Sequence, residues 1–265
     1  MSYLVYPGAT HRRFEHSLGV MELAGQVFDA LMDRRHLTDA VREALPGLDE
    51  QQKVDYYRQV VRLAGLLHDV GHLPFSHAAE EELLPKGRCH EHLTVDLILD
   101  EKLSGLLASM EPPVSPELVA KVAVGPKHWT GEPYAVWEAL LSDTVTHDVF
   151  GADRMDYLLR DSLHAGVAYG RYDLHRLVQS LRILFPPSGD EQGEGPSSPT
   201  IGIVQRSGST KAGCIQRKRC CSRVTSCSTR STSTGSDACT TSISSTFSEH
   251  GYPTERIPIP WTIIW

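Results

Sequence analysis

Apolar residues recur at helical spacing over several stretches of the chain, each bounded by turn signals. From Arg13 to about Arg34, Leu18, Met21, Leu23, Ala24, Val27, Phe28 and Leu31 mark one face of a first helix. A second runs from about Gln51 through Val60, Val61, Leu63, Leu66 and Leu67 to the pair His68-Asp69, where Gly71 and Pro74 stop it. A third begins near His90-Glu91 and continues through Leu93, Leu97 and Ile98. A fourth covers roughly Tyr134 to Val145, with Val136, Leu140 and Leu141 on one face. The charged stretch Asp153 to Asp161 carries an apolar edge of Met155, Leu158 and Leu159, and Leu174 to Leu184 reads as one more helix. Tyr3 to Gly8 reads as a short extended piece ended by a turn. The pattern predicts an all-α domain over residues 1–184, its helices bundled around one core.

After residue 184 the pattern fails. Pro186 to Pro199 is rich in Gly, Ser, Pro and Glu, so 185–204 is predicted to be a loop or linker, with Ile201 to Val204 a candidate short strand. From about Gln205 to Ser248 Ser, Thr, Cys and Arg replace apolar periodicity. Such a composition buries too little surface to offset its ordering entropy, and 205–265 is predicted to be an irregular tail.

Composition narrows the function classes. A net charge of −7 argues against a nucleic-acid-binding surface. No apolar run reaches membrane-spanning length and no signal peptide opens the chain, so a cytoplasmic protein is expected. Of six cysteines only Cys89 precedes residue 200. The thirteen histidines cluster, with His68, His72 and His77 following one another closely.

Imidazole and carboxylate side by side on a helix end suit a borderline divalent metal, provided that distant ligands complete the shell. His16 and Asp153 lie on other predicted helices, and a bundle can bring such groups together. A shell of two histidines and two aspartates, His16, His68, Asp69 and Asp153, suits Mn, Fe, Ni, Zn or Mg. Such an ion would acidify water and polarise a phosphoryl oxygen.

Four motifs now stand in order: Tyr6-Pro7-Gly8-Ala9-Thr10-His11-Arg12-Arg13-Phe14-Glu15-His16-Ser17-Leu18-Gly19; His68-Asp69 with Gly71-His72 and Phe75-Ser76-His77; His90-Glu91; and Asp153-Arg154-Met155-Asp156-Tyr157. Together they resemble the HD-domain metal-dependent phosphohydrolases, nearest the branch of deoxynucleoside triphosphate triphosphohydrolases and their SAM-and-HD-domain relatives. The resemblance covers about Ser2 to Leu184. It implies one divalent metal ion on His16, His68, Asp69 and Asp153, and a nucleotide hydrolysed to deoxynucleoside and triphosphate. It places His72, His77 and His90 around the scissile phosphate, with Glu80 and Glu91 as supporting carboxylates. Arg13 would hold phosphate oxygens, Tyr157 would pack on the sugar and Asp161 would accept from its 3′-hydroxyl. Intact relatives suggest a homo-oligomer. Another phosphoester substrate, such as an alarmone or nucleoside monophosphate, stays open, as does an inactive remnant.

Some residues in these motifs have plainer readings. His11 and His92 are read as surface or structural histidines, and Asp156 with Arg160 as a helix ion pair at i, i+4. His72 also fits a cap on the broken helix. Glu80 opens the acidic run Glu80-Glu81-Glu82, ordinarily a solvated face, and Cys89 is read as inert packing. His250-Gly251-Tyr252-Pro253 echoes a motif of related cyclic-dinucleotide phosphodiesterases but stands too far downstream.

Two departures from the family pattern matter. The chain starts inside the region where members carry an N-terminal arm, so an N-terminal truncation is expected. The helices that close over the nucleotide are replaced by the tail. Synonymous codons chosen for Gly213 to Ser226 and Arg230 to Ser248, read in a shifted frame, give amphipathic helical strings. This predicts a frameshift near Val204 to Ser209. Missing helices should leave core residues around Leu174, Val178 and Leu181 uncovered.

Overall fold

The computed structural model describes residues 2–45, 47, 50–184 and 199–203. The tail, its proposed frame change and the His250–Pro253 segment lie outside these residues. The described residues form ten α-helices and one two-stranded sheet.

Helices α1 (Arg13–Leu31) and α3 (Gln51–Leu67) make the central pair. They run antiparallel: Arg58 pairs with Asp29 at 2.8 Å, Arg62 with Glu22 at 2.6 Å, and Gly65 faces Val20. A Cβ on Gly65 would stand 3.1 Å from the Val20 carbonyl oxygen, so a glycine lets the two backbones cross closely. Val20, Ala24, Val27 and Phe28 meet Val60, Val61 and Ala64 in the core, all at 1% exposure or less. That register carries His16, one turn before Val20, to His68, just past Gly65.

Short helices α2 (Asp39–Ala44), α4 (His77–Leu83) and α6 (Glu101–Ala108), and α7 (Pro116–Val124), escape the sequence reading. Of these α7 matters most, because every residue from Leu118 to Val124 is buried. A helix buried all round shows no amphipathic period, and its run of apolar residues is equally compatible with a strand. Its start is nevertheless written in Ser115-Pro116: the serine hydroxyl accepts from the Leu118 amide at 3.3 Å, with proline in the first turn. Helices α5 (His90–Leu99), α8 (Val136–Thr146) and α9 (Ala152–Ala165) surround α7 and α1, and appear where periodicity places them.

Three expectations are corrected. The helix predicted over Leu174 to Leu184 stops at Ser180 as α10 (Leu174–Ser180), and β1 (Leu181–Leu184) follows. β1 pairs antiparallel with β2 (Thr200–Ile203), Leu181 opposite Ile203 and Ile183 opposite Ile201. The β-branched Ile183, Ile201 and Ile203 favour this pairing, and Leu181 and Ile201 sink to 0% and 2% exposure against the bundle. The candidate strand at Ile201 to Val204 is thus present, as β2, shifted by one residue. Leu181 and Val178 are buried rather than uncovered, and Leu174 is partly buried. Large exposed apolar side chains lie elsewhere, at Phe14, Phe75, Leu83 and Leu163. Finally, the extended piece at Tyr3 is a 3₁₀ turn over Ser2–Leu4. Among the described residues no helix is long and apolar enough to cross a membrane.

Candidate metal centre and its histidine cluster

His16 sits in the first turn of α1, His68 and Asp69 at the end of α3, and Asp153 in the first turn of α9. Gly151 makes the α8–α9 connection tight, since a Cβ there would lie 2.5 Å from the Val145 carbonyl oxygen. Asp153 is thereby tucked under the other two helix ends. Its Oδ1 lies 3.2 Å from His16 Nε2 and 3.5 Å from His68 Nε2. Asp69 approaches from the other side, Oδ1 at 3.3 Å from His68 Nε2 and Oδ2 at 3.9 Å from His16 Nε2. His16, His68 and Asp153 each bring a donor atom within 4.8 Å of the others, and Asp69 lies beside both histidines.

Both imidazoles are locked with Nε2 inward. His68 Nδ1 donates to the Gly65 carbonyl at 2.8 Å, and His16 Nδ1 donates to Asp156 Oδ2 at 2.7 Å. The buried His68 Nε2 makes no hydrogen bond of its own. An outer hydrogen bond that fixes tautomer and ring plane, with the inner nitrogen turned toward the carboxylates, is how metal-binding histidines are held. Burial alone would push His68 down, but Asp69 and then Asp153 outweigh it and hold it at about 9. Burial likewise works to raise Asp153, yet the His16 and His68 imidazoles beside it keep its carboxyl well below the usual range. Two imidazoles thus face two carboxylates at one place, a donor set that suits a divalent cation. The residues fit a metal.

The turn after the HD pair builds a second cluster. Gly71 lies against the start of α5: a Cβ would meet His90 O and Thr94 N at 2.3 Å. Thr94 Oγ1 accepts from the Gly71 amide and donates to the His68 carbonyl, both at 3.1 Å. This close approach stacks His72 on His90, ring centroids 3.6 Å apart and 17° from parallel. Phe75 and Ser76, with φ of 69° and 55°, then turn the chain into α4 and carry His77 to the same group. Glu80 is its hub, Oε1 lying 3.0 Å from His90 Nδ1, 3.1 Å from His77 Nδ1 and 3.5 Å from His72 Nδ1. His72 Nε2, 3.6 Å from Asp69 Oδ1, joins the two clusters. Burial first, then Arg13, His90 and His77, push His72 down to about 3 against the pull of Asp69, so it is neutral at pH 7.

Arg13 spans both clusters, with Nη1 on Asp69 Oδ2 and Nη2 donating to Ser76 Oγ at 3.2 Å. Glu91 Oε2 stands 3.3 Å from His90 Nδ1. A cavity of about 300 Å³ runs from His68, Asp69 and Asp153 past His90 and Glu91 to His128. Tyr157 is half-buried one turn along α9 from Asp153. Asp161, a turn further, is buried, and its Oδ1 accepts from His11 Nε2 at 3.0 Å. Burial pushes its carboxyl up to about 6.

Several plain readings are corrected. Glu80 is not a solvated face, because α4 turns it inward while Glu81 and Glu82 stay exposed. Its spacing of three from His77 was the available signal. Asp156 does pair with Arg160, at 2.8 and 2.9 Å, but the same carboxylate orients His16. Gly19 makes room for it, since a Cβ there would strike Asp156 Oδ1. Of the two readings offered for His11, the structural one holds: its side chain is buried on Asp161. His92 is structural as expected, its Nδ1 accepting from the Cys89 amide at 3.2 Å.

The HD domain matches residues 13–158. An uncharacterized protein of Bacillus subtilis, YwfO, is 34% identical over 182 residues, 68% of this chain and 35% of its own length. Deoxynucleoside triphosphate triphosphohydrolase SAMHD1 of Gallus gallus is 31% identical over 202 residues, 69% of this chain and 31% of its own. The chain thus spans about a third of the length of these relatives. A crystal structure of a hypothetical protein from Aquifex aeolicus superposes with a TM-score of 0.51 at 36% identity, covering 69% of this chain and 42% of the other. With an HD-domain match over residues 13–158, and His16, His68 and Asp153 gathered with Asp69 beside the two histidines, the chain belongs to the HD-domain family of metal-dependent phosphohydrolases.

Proposed function

We propose that this chain hydrolyses deoxynucleoside triphosphates to deoxynucleoside and triphosphate. Water oxygen joins the α-phosphorus, the bond from that phosphorus to the 5′-oxygen breaks, and the 5′-oxygen takes a proton. The observation that carries the reading is the convergence of His16 and His68 Nε2 on Asp153 Oδ1, with both Nδ1 atoms already committed. His16, His68, Asp69 and Asp153 would hold the divalent ion, which when bound supplies Lewis acidity and acidified water.

The chain's own residues do the rest. Arg13, forked and already at the cluster's edge, holds phosphate oxygens. His72, His77 and His90 handle protons at the phosphate. Glu80 holds the Nδ1 side of all three, which leaves Nε2 of the half-exposed His77 to face the 5′-oxygen. Glu91 supports His90. Tyr157 packs on the sugar, and the Asp161 carboxylate that holds His11 meets the 3′-hydroxyl. The 31% identity to a deoxynucleoside triphosphate triphosphohydrolase supports this substrate class.

The test pairs metal content with product identity. Purified protein should retain one divalent ion at this centre and release triphosphate, not orthophosphate or pyrophosphate, from a deoxynucleoside triphosphate. Asp69→Ala should lose that ion with helicity retained. His77→Ala should keep it while kcat falls by about 10²-fold or more. Orthophosphate or pyrophosphate as the product, or metal loss in His77→Ala, would overturn the assignment.

A further inference from the structure

Past Glu91, on the side away from His90, lies a group of donors of which the hydrolytic reading uses only Glu91, through its other oxygen. Cys89 ends the loop before α5, Glu91 is in that helix's first turn, and His128 lies in the loop after α7. Cys89 Sγ is 3.7 Å from His128 Nδ1, and Glu91 Oε1 is 3.6 Å from the other ring nitrogen, Nε2; an ion would take one of the two. One donor atom from each residue lies within 4.8 Å of the others. Zinc bond lengths of about 2.3 Å to sulfur and 2.0 Å to nitrogen, at a tetrahedral angle, put two such ligands about 3.5 Å apart. The observed sulfur–nitrogen separation is close to that.

We propose that Cys89, Glu91 and His128 form a second divalent cation site, distinct from the His16–His68–Asp69–Asp153 centre and suited to zinc. Thiolate, imidazole and carboxylate together select a borderline cation over magnesium or calcium. The His128 side chain is 37% exposed, which gives the ion an entry path and a fourth position for water. Glu91 divides its two oxygens, Oε2 toward His90 and Oε1 toward His128. An ion here ties the loop after α7 to the start of α5 and fixes His90 from behind. Burial and the Glu91 carboxylate push the Cys89 thiol above its ordinary range, so cation binding displaces a proton.

Cobalt reports on this site without reference to turnover, because only a thiolate ligand gives sulfur-to-cobalt charge-transfer absorption. The full chain is used with Cys214→Ser, Cys220→Ser, Cys221→Ser, Cys227→Ser and Cys239→Ser, which leaves Cys89 as its one thiol. Titration with cobalt should give that absorption, saturating at one ion per chain, and Asp69→Ala should leave it in place. Cys89→Ser should abolish it, and His128→Gln and Glu91→Gln should each weaken cobalt affinity at least tenfold with helicity unchanged. No band at saturating cobalt, or a midpoint unmoved by both His128→Gln and Glu91→Gln, would overturn the site. If the serine background does not fold, the spectral difference between the unmodified chain and its Cys89→Ser variant decides the matter: a thiolate band lost with Cys89 supports the site, and no difference overturns it.

Discussion

Asp156 shows how one side chain can serve two partners that lie far apart along the chain. Its carboxylate takes the Arg160 guanidinium along α9 and the His16 imidazole across to α1. Asp156→Asn keeps the shape but can offer His16 an amide nitrogen as readily as an oxygen, and so loses hold of the tautomer. Metal affinity at the centre should fall by about 10- to 100-fold, read by competition with a chelator, with the helical signal intact. Gly71 fails differently. A methyl group there strikes backbone at His90 and Thr94, which cannot swing aside. Gly71→Ala should therefore cost about 1–3 kcal/mol in urea unfolding and loosen the stack of His72 on His90. Glu80→Gln removes the one charge shared by three imidazoles, and kcat should drop by about tenfold or more at unchanged metal content. Of these three residues, the first was legible only as an ion pair, because i, i+4 spacing is visible in sequence and a contact across the bundle is not.

Among the elements, α7 is the least legible and the most buried. It carries Lys121 at 6% exposure, with Nζ bonded to both Glu138 oxygens at 3.1 and 3.2 Å and lying over the rings of Trp129 and Tyr134. Lys121→Ala leaves the largely buried Glu138 carboxylate without its cation, holding only the Ala135 amide, and should destabilise the fold by about 3 kcal/mol. Lys121→Met combined with Glu138→Leu should recover most of that loss, because apolar groups of similar volume carry no desolvation cost. Chemical unfolding of both variants checks the pair. At α10 the sequence pattern is ambiguous in the opposite sense. Leu174, Val178 and Leu181 fit a helix, but Ser180 turns its hydroxyl back to the Leu177 carbonyl at 2.8 Å and the chain extends into β1. The partner strand is contributed from residue 200, so no local window contains the reason for the switch.

At the scale of the molecule, the bundle is closed on one side by that hairpin, with Leu181 fully buried beneath it. Leu181→Ala should cost about 2–5 kcal/mol by thermal or chemical unfolding. We propose that the Ser/Thr/Cys-rich residues 205–265 derive from a change of reading frame near Val204 to Ser209. The DNA across Val204 checks this directly: the alternative frame should encode amphipathic helices. The helical bundle and its main helices, and the choice of His16, His68, Asp69 and Asp153 as candidate ligands, are legible in the sequence alone, because 3.6-residue periodicity, Gly and Pro stops and motif order are all local. What the tertiary structure decides is the company each ligand keeps. Glycines at 19, 65, 71 and 151 set how closely the backbones pass, and those approaches bring Asp156 to His16 and His72 to the His90 and Glu80 group. Such contacts join residues far apart in the chain, and close packing, not sequence spacing, chooses them.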